Sequence, residues 1–251
     1  MSTVEAKNKI ALVTGGGTGI GKATAQRLAA AGAHVIVTGR RAATLDSTVA
    51  EIRAKGHSAE AIVNDIADVA AVAHLHDSIL AQHGRLDIAF NNAGFRETRT
   101  HLVDHSMDTY AQVFDTNVRG VFACLQHQIA AMRAQGGGAI VVNASVSGLR
   151  NPNPGFALYS ASKAAVVSLA RSAAMEEAQH GVRINIVAPG RVKTDMIMEP
   201  GLDLDAVASS LPLHRMGTPE EVAEAVHWLT SDAAAYVVGH VLCVDGGFMA
   251  S

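Results

Sequence analysis

Short runs of β-branched and apolar residues alternate with longer helical patterns along the whole 251-residue chain. The predicted strands are IALVT, HVIVT, AEAIV, LDIAF, AIVVNA, RINIVA and HVLCV. Helical patterns lie between them, over 19–31, 42–55, 68–83, 106–133, 158–180 and 219–230. The strands are almost continuously apolar, as in a sheet covered on both faces, and strand–helix–strand repeats give right-handed crossovers. These patterns predict an α/β fold with a doubly wound parallel sheet and helices on both faces.

The chain shows no linker and no low-complexity segment, so we predict one domain over residues 1–251. Nearly half of the residues are apolar, which is enough for a large buried core. The longest irregular stretch covers about 190–218. A loop of this length in a compact domain is usually functional, and we predict a substrate loop or lid there.

Charge and hydropathy exclude several classes of protein. The net charge is −3 and the basic residues are spread along the chain, so neither nucleic acid nor an anionic membrane is an expected partner. The apolar runs are far shorter than the roughly 18 residues that a membrane span needs. The N-terminal region carries the charged run EAKNK before any apolar run. We therefore expect a soluble, untargeted, cytoplasmic protein.

Cysteine and histidine spacing gives no sign of a metal site. Two widely separated cysteines lie in apolar surroundings without C-x-x-C spacing, which argues against a disulfide scaffold or a zinc knuckle. His101 and His105 are spaced i, i+4, and His74 and His76 lie close together, yet neither pair has an evident third ligand. No metal is expected.

A glycine-rich turn, TGGGTGIG, directly follows the first predicted strand and opens the first predicted helix. Such glycines allow a tight turn and a close approach of the backbone to a pyrophosphate, which then lies on the N–H groups of the helix N-terminus. The turn alone is weakly diagnostic, but its position within a chain of βα units predicts a dinucleotide site. The expected contacts are Gly15, Gly17, Thr18, Gly19, Ile20 and Gly21.

The second predicted strand ends in VIVTGRR. Gly39 occupies the position where NAD-preferring folds usually place a carboxylate, and Arg40 and Arg41 follow it. The alternative is a solvated basic turn, although cations are poor partners for the positive end of a helix dipole. A 2′-phosphate would remove that mismatch, so NADP(H) is the favoured cofactor and NAD(H) remains possible. Thr18 adds no second positive charge.

The stretch YSASK places Tyr159 and Lys163 four residues apart in a predicted helix. Residues at i and i+4 share a helix face, with about 5–6 Å between their Cβ atoms. The spacing alone leaves two interpretations open. Either a packed tyrosine lies beside a solvated lysine, or both polar groups point at one ligand.

The ordered motifs of the chain resemble those of the short-chain dehydrogenase/reductase family, close to the 3-oxoacyl carrier-protein reductase type. The motifs that carry the resemblance are TGGGTGIG, NDIAD, NNAG, DTNVRG, VNASVSG, YSASK, VAPGRVKTDM and PLHRMGTPEEVA through VDGG. The resemblance implies a Rossmann-type, seven-stranded parallel sheet in the order 3-2-1-4-5-6-7. It also implies further cofactor contacts at Asp65, Ile66, Asn92, Ala93, Gly94, Tyr159, Lys163, Pro189, Gly190, Val192 and Thr194.

The resemblance also implies a catalytic set. Tyr159 would be the acid, and Lys163 would lower the Tyr159 pKa and bind the nicotinamide ribose. Ser145 would orient the substrate oxygen, and Asn117 would hold a water that relays protons to the lysine. Each has a structural alternative: serine after a strand is often a turn residue, and asparagine in a helix is often bonded to backbone.

One feature departs from the family pattern. Ser145 and Tyr159 are separated by one residue more than in the related reductases, within LRNPNPGF. Ser147 could compete for the role of Ser145, but the sequence after Ser145 fits the pattern better. The extra residue should reshape the substrate pocket, for which the expected residues are Phe95, Arg96, Asn153, Phe156 and Met196.

The sequence therefore predicts an NADP(H)-preferring carbonyl reductase or secondary-alcohol dehydrogenase acting on a ketone/alcohol pair. The first alternative is an NAD-dependent member of the family that oxidises a diol, a sugar or a hydroxysteroid. A catalytically silent dinucleotide-binding scaffold is less favoured, because Ser145, Tyr159 and Lys163 are all present. The resemblance further implies a homotetramer that pairs the helices at 106–133 and 158–180, together with the C-terminal strand region.

Overall fold

The computed structural model describes residues 6–151, 154–197 and 203–251. Within these residues seven strands form one all-parallel sheet in the order β3-β2-β1-β4-β5-β6-β7, which confirms the predicted architecture. The strands are β1 Ile10–Thr14, β2 His34–Gly39, β3 Ala59–Val63, β4 Ile88–Asn91, β5 Gly138–Asn143, β6 Val182–Pro189 and β7 Val241–Val244.

Helices cover both faces of the sheet. They are α1 Gly19–Ala30, α2 Ala42–Ala54, α3 Val69–His83, α4 Met107–Phe114, α5 Gly120–Ala134, α6 Ala157–Glu177, α7 Leu204–Ser209 and α8 Pro219–Thr230. Successive strand residues point to opposite faces, so that Phe90 packs with α1, α2 and α8, whereas Ala89 packs with α3, α5 and α6. The carboxyl ends of the strands all lie at one edge of the sheet, where ligands of such folds bind.

The helix predicted over 106–133 is interrupted. A π-helical turn at Asp115–Arg119 separates α4 from α5, and the Gly120 N–H donates to the Asp115 carbonyl five residues earlier. A π turn adds one residue to a single turn of the helix, and the spacing of apolar residues in the sequence does not reveal it. Such π turns often occur at functional sites, and this one contains Asn117.

The stretch 190–218 is less irregular than predicted. It contains the short helix α7, whose N-terminus is capped by Asp203 through hydrogen bonds from the Asp205 and Ala206 N–H groups. Residues 198–202 of this stretch lie outside the described residues. The two ends of the stretch are tied together, because Val192 and Gly217 form an isolated parallel bridge.

No helix in the part of the chain that the structure describes is long and apolar enough to cross a membrane.

Candidate active site

The glycine-rich turn leads from β1 into α1 along a cleft at the carboxyl edge of the sheet. Gly15 and Gly19 adopt the left-handed region, with φ of 65° and 51°, which disfavours other residues. Thr18 is the N-cap of α1, yet its side chain makes no capping hydrogen bond among the described residues. The first turn of α1 also contains no acidic residue. Its N–H groups are thus available to an anion in the cleft.

Asn92 fixes this turn against the end of β4. Its Nδ2 donates to the carbonyls of Thr14 and Gly15, at 3.0 and 3.3 Å, and its Oδ1 accepts from Asn143. A Cβ at Gly21 would collide with the Gly15 carbonyl and the Asn92 amide. Gly21 itself does not line the cleft; its role is to let α1 approach this hydrogen-bonded turn.

Arg40 and Arg41 lie at the end of β2 on the rim of the same cleft. Both are exposed, and neither side chain makes a hydrogen bond or ion pair to a described residue. Arg41 is the N-cap of α2, whose first turn contains no acidic residue. Gly39 leaves room beside them, since an added Cβ would meet Leu45 Cδ2 at an ordinary 3.6 Å. This corner of the cleft can receive an anion.

The cleft has a volume of about 310 Å³. All the predicted cofactor residues except Gly21 line it. At its far wall Thr194 reaches over the glycine turn, with its Cγ2 3.2 Å from the position of a Cβ at Gly19. Asp65 lines the cleft while accepting a hydrogen bond from the Ala67 N–H, so its carboxylate also shapes the turn after β3.

Tyr159 and Ser145 meet at the inner end of the cleft. Burial raises the pKa of the Tyr159 phenol, and the Glu97 charge raises it further, whereas a hydrogen bond with Ser145 and the charge of Arg96 lower it. Ser145 Oγ also accepts the Ser147 N–H at 3.1 Å. Ser147 therefore supports Ser145 through its backbone, and it is Ser145 that contacts the phenol.

Lys163 lies one helical turn beyond Tyr159, and the two side chains face the same cleft, as the spacing indicated. The Lys163 ammonium is buried, 5.7 Å from the centre of the Tyr159 ring, and donates to the Asn143 carbonyl at 2.7 Å. Burial lowers the Lys163 pKa to about 8. Ser145 and Arg96 act to lower the Tyr159 pKa in this structure, and the expectation that Lys163 also lowers it stays a prediction.

Asn117 is fully buried and does not line the cleft. Its side-chain amide donates to the Phe95 carbonyl and to Ser162 Oγ, and its Oδ1 accepts from the Phe95 N–H. The side chain therefore clamps the loop after β4 onto α6. A water-holding role for Asn117 would have to use its backbone, since the amide is occupied.

Two further polar residues, which the sequence patterns do not indicate, support the site. Glu97 is 2% exposed, and its Oε1 accepts the Tyr159 backbone N–H at 3.1 Å at the start of α6. Gln128 forms a reciprocal pair of hydrogen bonds with Asn91, both buried, below the site. Neither residue belongs to a recognisable motif, so only their positions in the fold reveal these roles.

Aromatic and sulfur-containing side chains line the substrate end. The guanidiniums of Arg96 and Arg99 lie 4.6 and 4.9 Å from the centre of the Phe156 ring, and Arg96 donates to the Met196 carbonyl. Arg96, Phe156 and Met196 line the cleft, whereas Phe95 lies on an adjoining pocket, and Asn153 lies outside the described residues.

The C-terminal segment also contributes to this end, which the sequence did not suggest. Phe248 lines the cleft, and Arg150 holds the segment in place. The Arg150 Nη1 donates to the carbonyls of Phe248 and Ser251, and its guanidinium stacks 5.0 Å from the Phe248 ring centre. Arg150 is thus used structurally.

These features fit a dinucleotide. The uncapped start of α1 suits a pyrophosphate, the two arginines without described partners suit an anion near the adenosine, and a lysine and a tyrosine occupy the opposite end. The residues at that end are an acid, a hydroxyl donor and a buried cation, the groups that carbonyl reduction requires.

Comparison with known proteins agrees with this geometry. Residues 15–249 match a family model described as enoyl-(acyl carrier protein) reductase. The chain is 40% identical over 248 residues to an A-factor type gamma-butyrolactone 1′-reductase of Streptomyces virginiae, covering 96% of this chain and 95% of that one. It is 40% identical over 243 residues to a cis-4-hydroxycyclohexanecarboxylate dehydrogenase of Sinomonas cyclohexanicum, covering 96% and 97%.

A solved structure described as a putative NAD(P) dependent gluconate 5-dehydrogenase from Beutenbergia cavernae, with NADP bound at low occupancy, superposes with a TM-score of 0.94. The two chains are 37% identical, and the match covers 100% of each.

Proposed function

The chain belongs to the short-chain dehydrogenase/reductase family and is an NAD(P)-dependent oxidoreductase acting on CH–OH groups; on that premise we propose that it is an NADP(H)-preferring carbonyl reductase. Its substrates would be small or medium ketones and the corresponding secondary alcohols. The observation that carries the proposal is the single cleft that joins Arg40 and Arg41 at one end to Tyr159, Ser145 and Lys163 at the other.

Cofactor preference rests on the corner beside β2. Arg40 and Arg41 provide two guanidiniums with no described partner. Gly39 stands where a carboxylate would bind the ribose hydroxyls and repel a phosphate, so no such repulsion is present. A 2′-phosphate would be bound there by charge-assisted hydrogen bonds. The first alternative, an NAD-dependent enzyme that oxidises a diol, a sugar or a hydroxysteroid, predicts that these arginines contribute little.

The bound nicotinamide would supply or accept the hydride at the carbonyl carbon. The chain itself handles the proton and the developing charge. The Tyr159 phenol, with its pKa raised by burial, stays protonated at neutral pH and can donate its proton to the substrate oxygen. Ser145 hydrogen-bonds the same oxygen and orients it. Lys163 would use its N–H groups that do not bind Asn143 to hold the ribose.

The substrate end favours an apolar body with one carbonyl. Phe156, Met196 and Phe248 line it, and the stretch 190–218 would act as a lid that excludes water. Alicyclic ketones and alcohols are the first compounds to assay, since one relative is named for a lactone substrate and another for a hydroxycyclohexane.

The decisive experiment is a panel of ketones and secondary alcohols assayed with NADPH, NADH, NADP+ and NAD+. We expect reduction with NADPH, and a loss of about 10²-fold or more in kcat in Tyr159→Phe. Tyr236→Phe is the matched control, because Tyr236 is fully exposed. Full activity in Tyr159→Phe, or none with any pair in the wild type, would refute the proposed chemistry and favour a silent dinucleotide-binding protein.

We further propose a homotetramer that pairs α5 and α6. Both helices carry exposed apolar side chains, with Phe122 45% and Met175 75% exposed. Size-exclusion chromatography with light scattering should give a molar mass four times that of one chain. The two cysteines are free, as suits a reducing cytoplasm, where we place the protein.

A further inference from the structure

Three side chains that can bind a metal converge at the edge of the sheet opposite the cleft. His34 is the first residue of β2, Glu60 lies near the start of β3, and His83 is the last residue of α3. One ligand atom from each lies within 4.8 Å of the other two. Strand beginnings and strand ends lie at opposite edges of a parallel sheet, so this cluster is separate from the candidate active site.

The register of the sheet brings the three residues to one face. Ile36 pairs with Glu60, and side chains alternate along a strand, so His34 and Glu60 share a face. Ile36 packs in the core formed with α3, whose last residue is His83. No sequence pattern indicates this group, because its members are far apart along the chain.

The atoms are close to a metal-binding arrangement. The His83 Nε2 lies 2.7 Å from Glu60 Oε1, and the His34 Nε2 lies 3.5 Å from the same oxygen. Ligand atoms about 2.0–2.1 Å from a tetrahedral Zn²⁺ are separated by roughly 3.3 Å. The distance from His34 Nε2 to Glu60 Oε1 already fits this spacing. The distance from His83 Nε2 to Glu60 Oε1 must increase by roughly half an ångström, and the ion then replaces the hydrogen bond between these two atoms.

The His34 ring is prepared to act as a ligand. Its Nε2 is buried, and among the described residues Glu60 Oε1, at 3.5 Å, is a contact too long for a well-formed hydrogen bond. Its Nδ1 lies 2.6 Å from Ser58 Oγ. Histidine ligands of metals commonly bond a neighbouring polar group through the other ring nitrogen, which fixes the orientation of the ring. Gln82 similarly holds the second oxygen of Glu60 at 3.0 Å.

From this geometry we propose that His34, Glu60 and His83 form a Zn²⁺ site, with water as the fourth ligand. Two imidazoles and one carboxylate suit a borderline ion such as Zn²⁺, whereas Mg²⁺ requires more oxygen ligands. The side chains of the three residues are between 13% and 26% exposed, so an ion could enter from solvent. A bound ion would cross-link β2, β3 and the end of α3 and stabilise the fold.

Isothermal titration of EDTA-treated full-length protein with Zn²⁺ tests the site. We expect one site per chain with micromolar or tighter affinity, at least tenfold weaker in each of His34→Asn, Glu60→Gln and His83→Asn. His74→Asn, an exposed histidine on the same helix, should bind as the wild type does. Mg²⁺ should give no binding heat, and Co²⁺ should give the visible absorption of a tetrahedral site.

Thermal unfolding without metal shows whether each variant is folded. If a variant of one of the three metal-binding residues is unfolded, Ser58→Ala provides the test in its place. It keeps all three metal-binding side chains and should weaken Zn²⁺ binding by about tenfold. Equal Zn²⁺ binding in the wild type and the folded variants, or no binding by the wild type, would overturn the site and leave a hydrogen-bonded cluster. Neither outcome bears on the proposed ketone reduction, because the cluster lies at the edge of the sheet opposite the cleft.

Discussion

The Glu97 carboxylate accepts a hydrogen bond from the Tyr159 backbone N–H at 3.1 Å, and its charge raises the pKa of the Tyr159 phenol. A carboxylate at the first turn of α6 is favourable to the helix, but near a phenol it opposes formation of phenolate. Glu97 therefore favours the protonated acid that ketone reduction needs.

Glu97→Gln should lower the Tyr159 pKa, because the nearby negative charge is removed while an oxygen remains to accept the N–H. The pH profile of kcat/KM for alcohol oxidation should then rise at lower pH than in the wild type. The control is Glu176→Gln, which changes an exposed carboxylate on α6, the helix that carries Tyr159, and should leave the pH profile unchanged. A shift to higher pH would contradict the electrostatic role given to Glu97.

Arg40→Ala should weaken NADPH use by about tenfold or more in kcat/KM and leave NADH use nearly unchanged, since one charge-assisted contact to the 2′-phosphate is worth roughly 1.5–3 kcal/mol. The exposed Lys55→Ala, at the end of α2, is the control. Equal losses with both cofactors would contradict the NADP(H) preference.

Gly39→Asp should shift the cofactor preference from NADP(H) toward NAD(H). The new side chain fits, with its Cβ 3.6 Å from Leu45 Cδ2, and its carboxylate would bind ribose hydroxyls and repel a phosphate. The ratio of kcat/KM for NADH and NADPH measures the effect. An unchanged ratio would mean that the adenosine ribose does not lie beside position 39.

Ser145→Ala should reduce ketone reduction by about 10²-fold, because it removes a donor to the substrate oxygen. It also removes a hydrogen bond that lowers the Tyr159 pKa, so alcohol oxidation should require higher pH. Ser147→Ala keeps the backbone N–H that Ser145 accepts and should change little. The reverse ranking of the two variants would assign the role to Ser147.

Lys163→Met should stabilise the protein without cofactor at pH 7, by up to about 3 kcal/mol in the free energy of unfolding. Burial lowers the Lys163 pKa from 10.5 to about 8, so the unfolded chain binds more protons between these pH values. The wild type should therefore gain stability from pH 8 to 10.5, and the variant's advantage should shrink. Urea unfolding at pH 7 and 9.5 tests this; a less stable variant at pH 7 would contradict it.

The predictable part of this protein is the part that local sequence patterns encode. The strands are buried on both faces and read as apolar runs, so β1 and β3 match their predicted limits. The glycine turn and the Tyr159–Lys163 spacing depend on neighbouring residues, and both lie on the cleft as expected. In these places local chemistry and the fold require the same residues.

The remainder depends on contacts between distant segments. Glu97 reaches α6 and Gln128 reaches β4, across 62 and 37 residues of chain. The sequence predicts a site role for Asn117, but the use of its amide to clamp Phe95 follows from the π turn and not from its neighbours in sequence. The environment that raises the Tyr159 pKa is likewise assembled only on folding.

The bridge between Val192 and Gly217 has a consequence for evolution and engineering. Backbone hydrogen bonds run from Lys193 N–H to the Gly217 carbonyl and from Gly217 N–H to the Arg191 carbonyl, at 3.0 and 2.8 Å. The two ends of the stretch are thus held together at one point, while Thr194 and Met196 face the cleft and Leu211 is buried in the domain. Loops of other lengths and sequences could be grafted between these two positions to change substrate range, while the sheet and its nucleotide half are inherited intact.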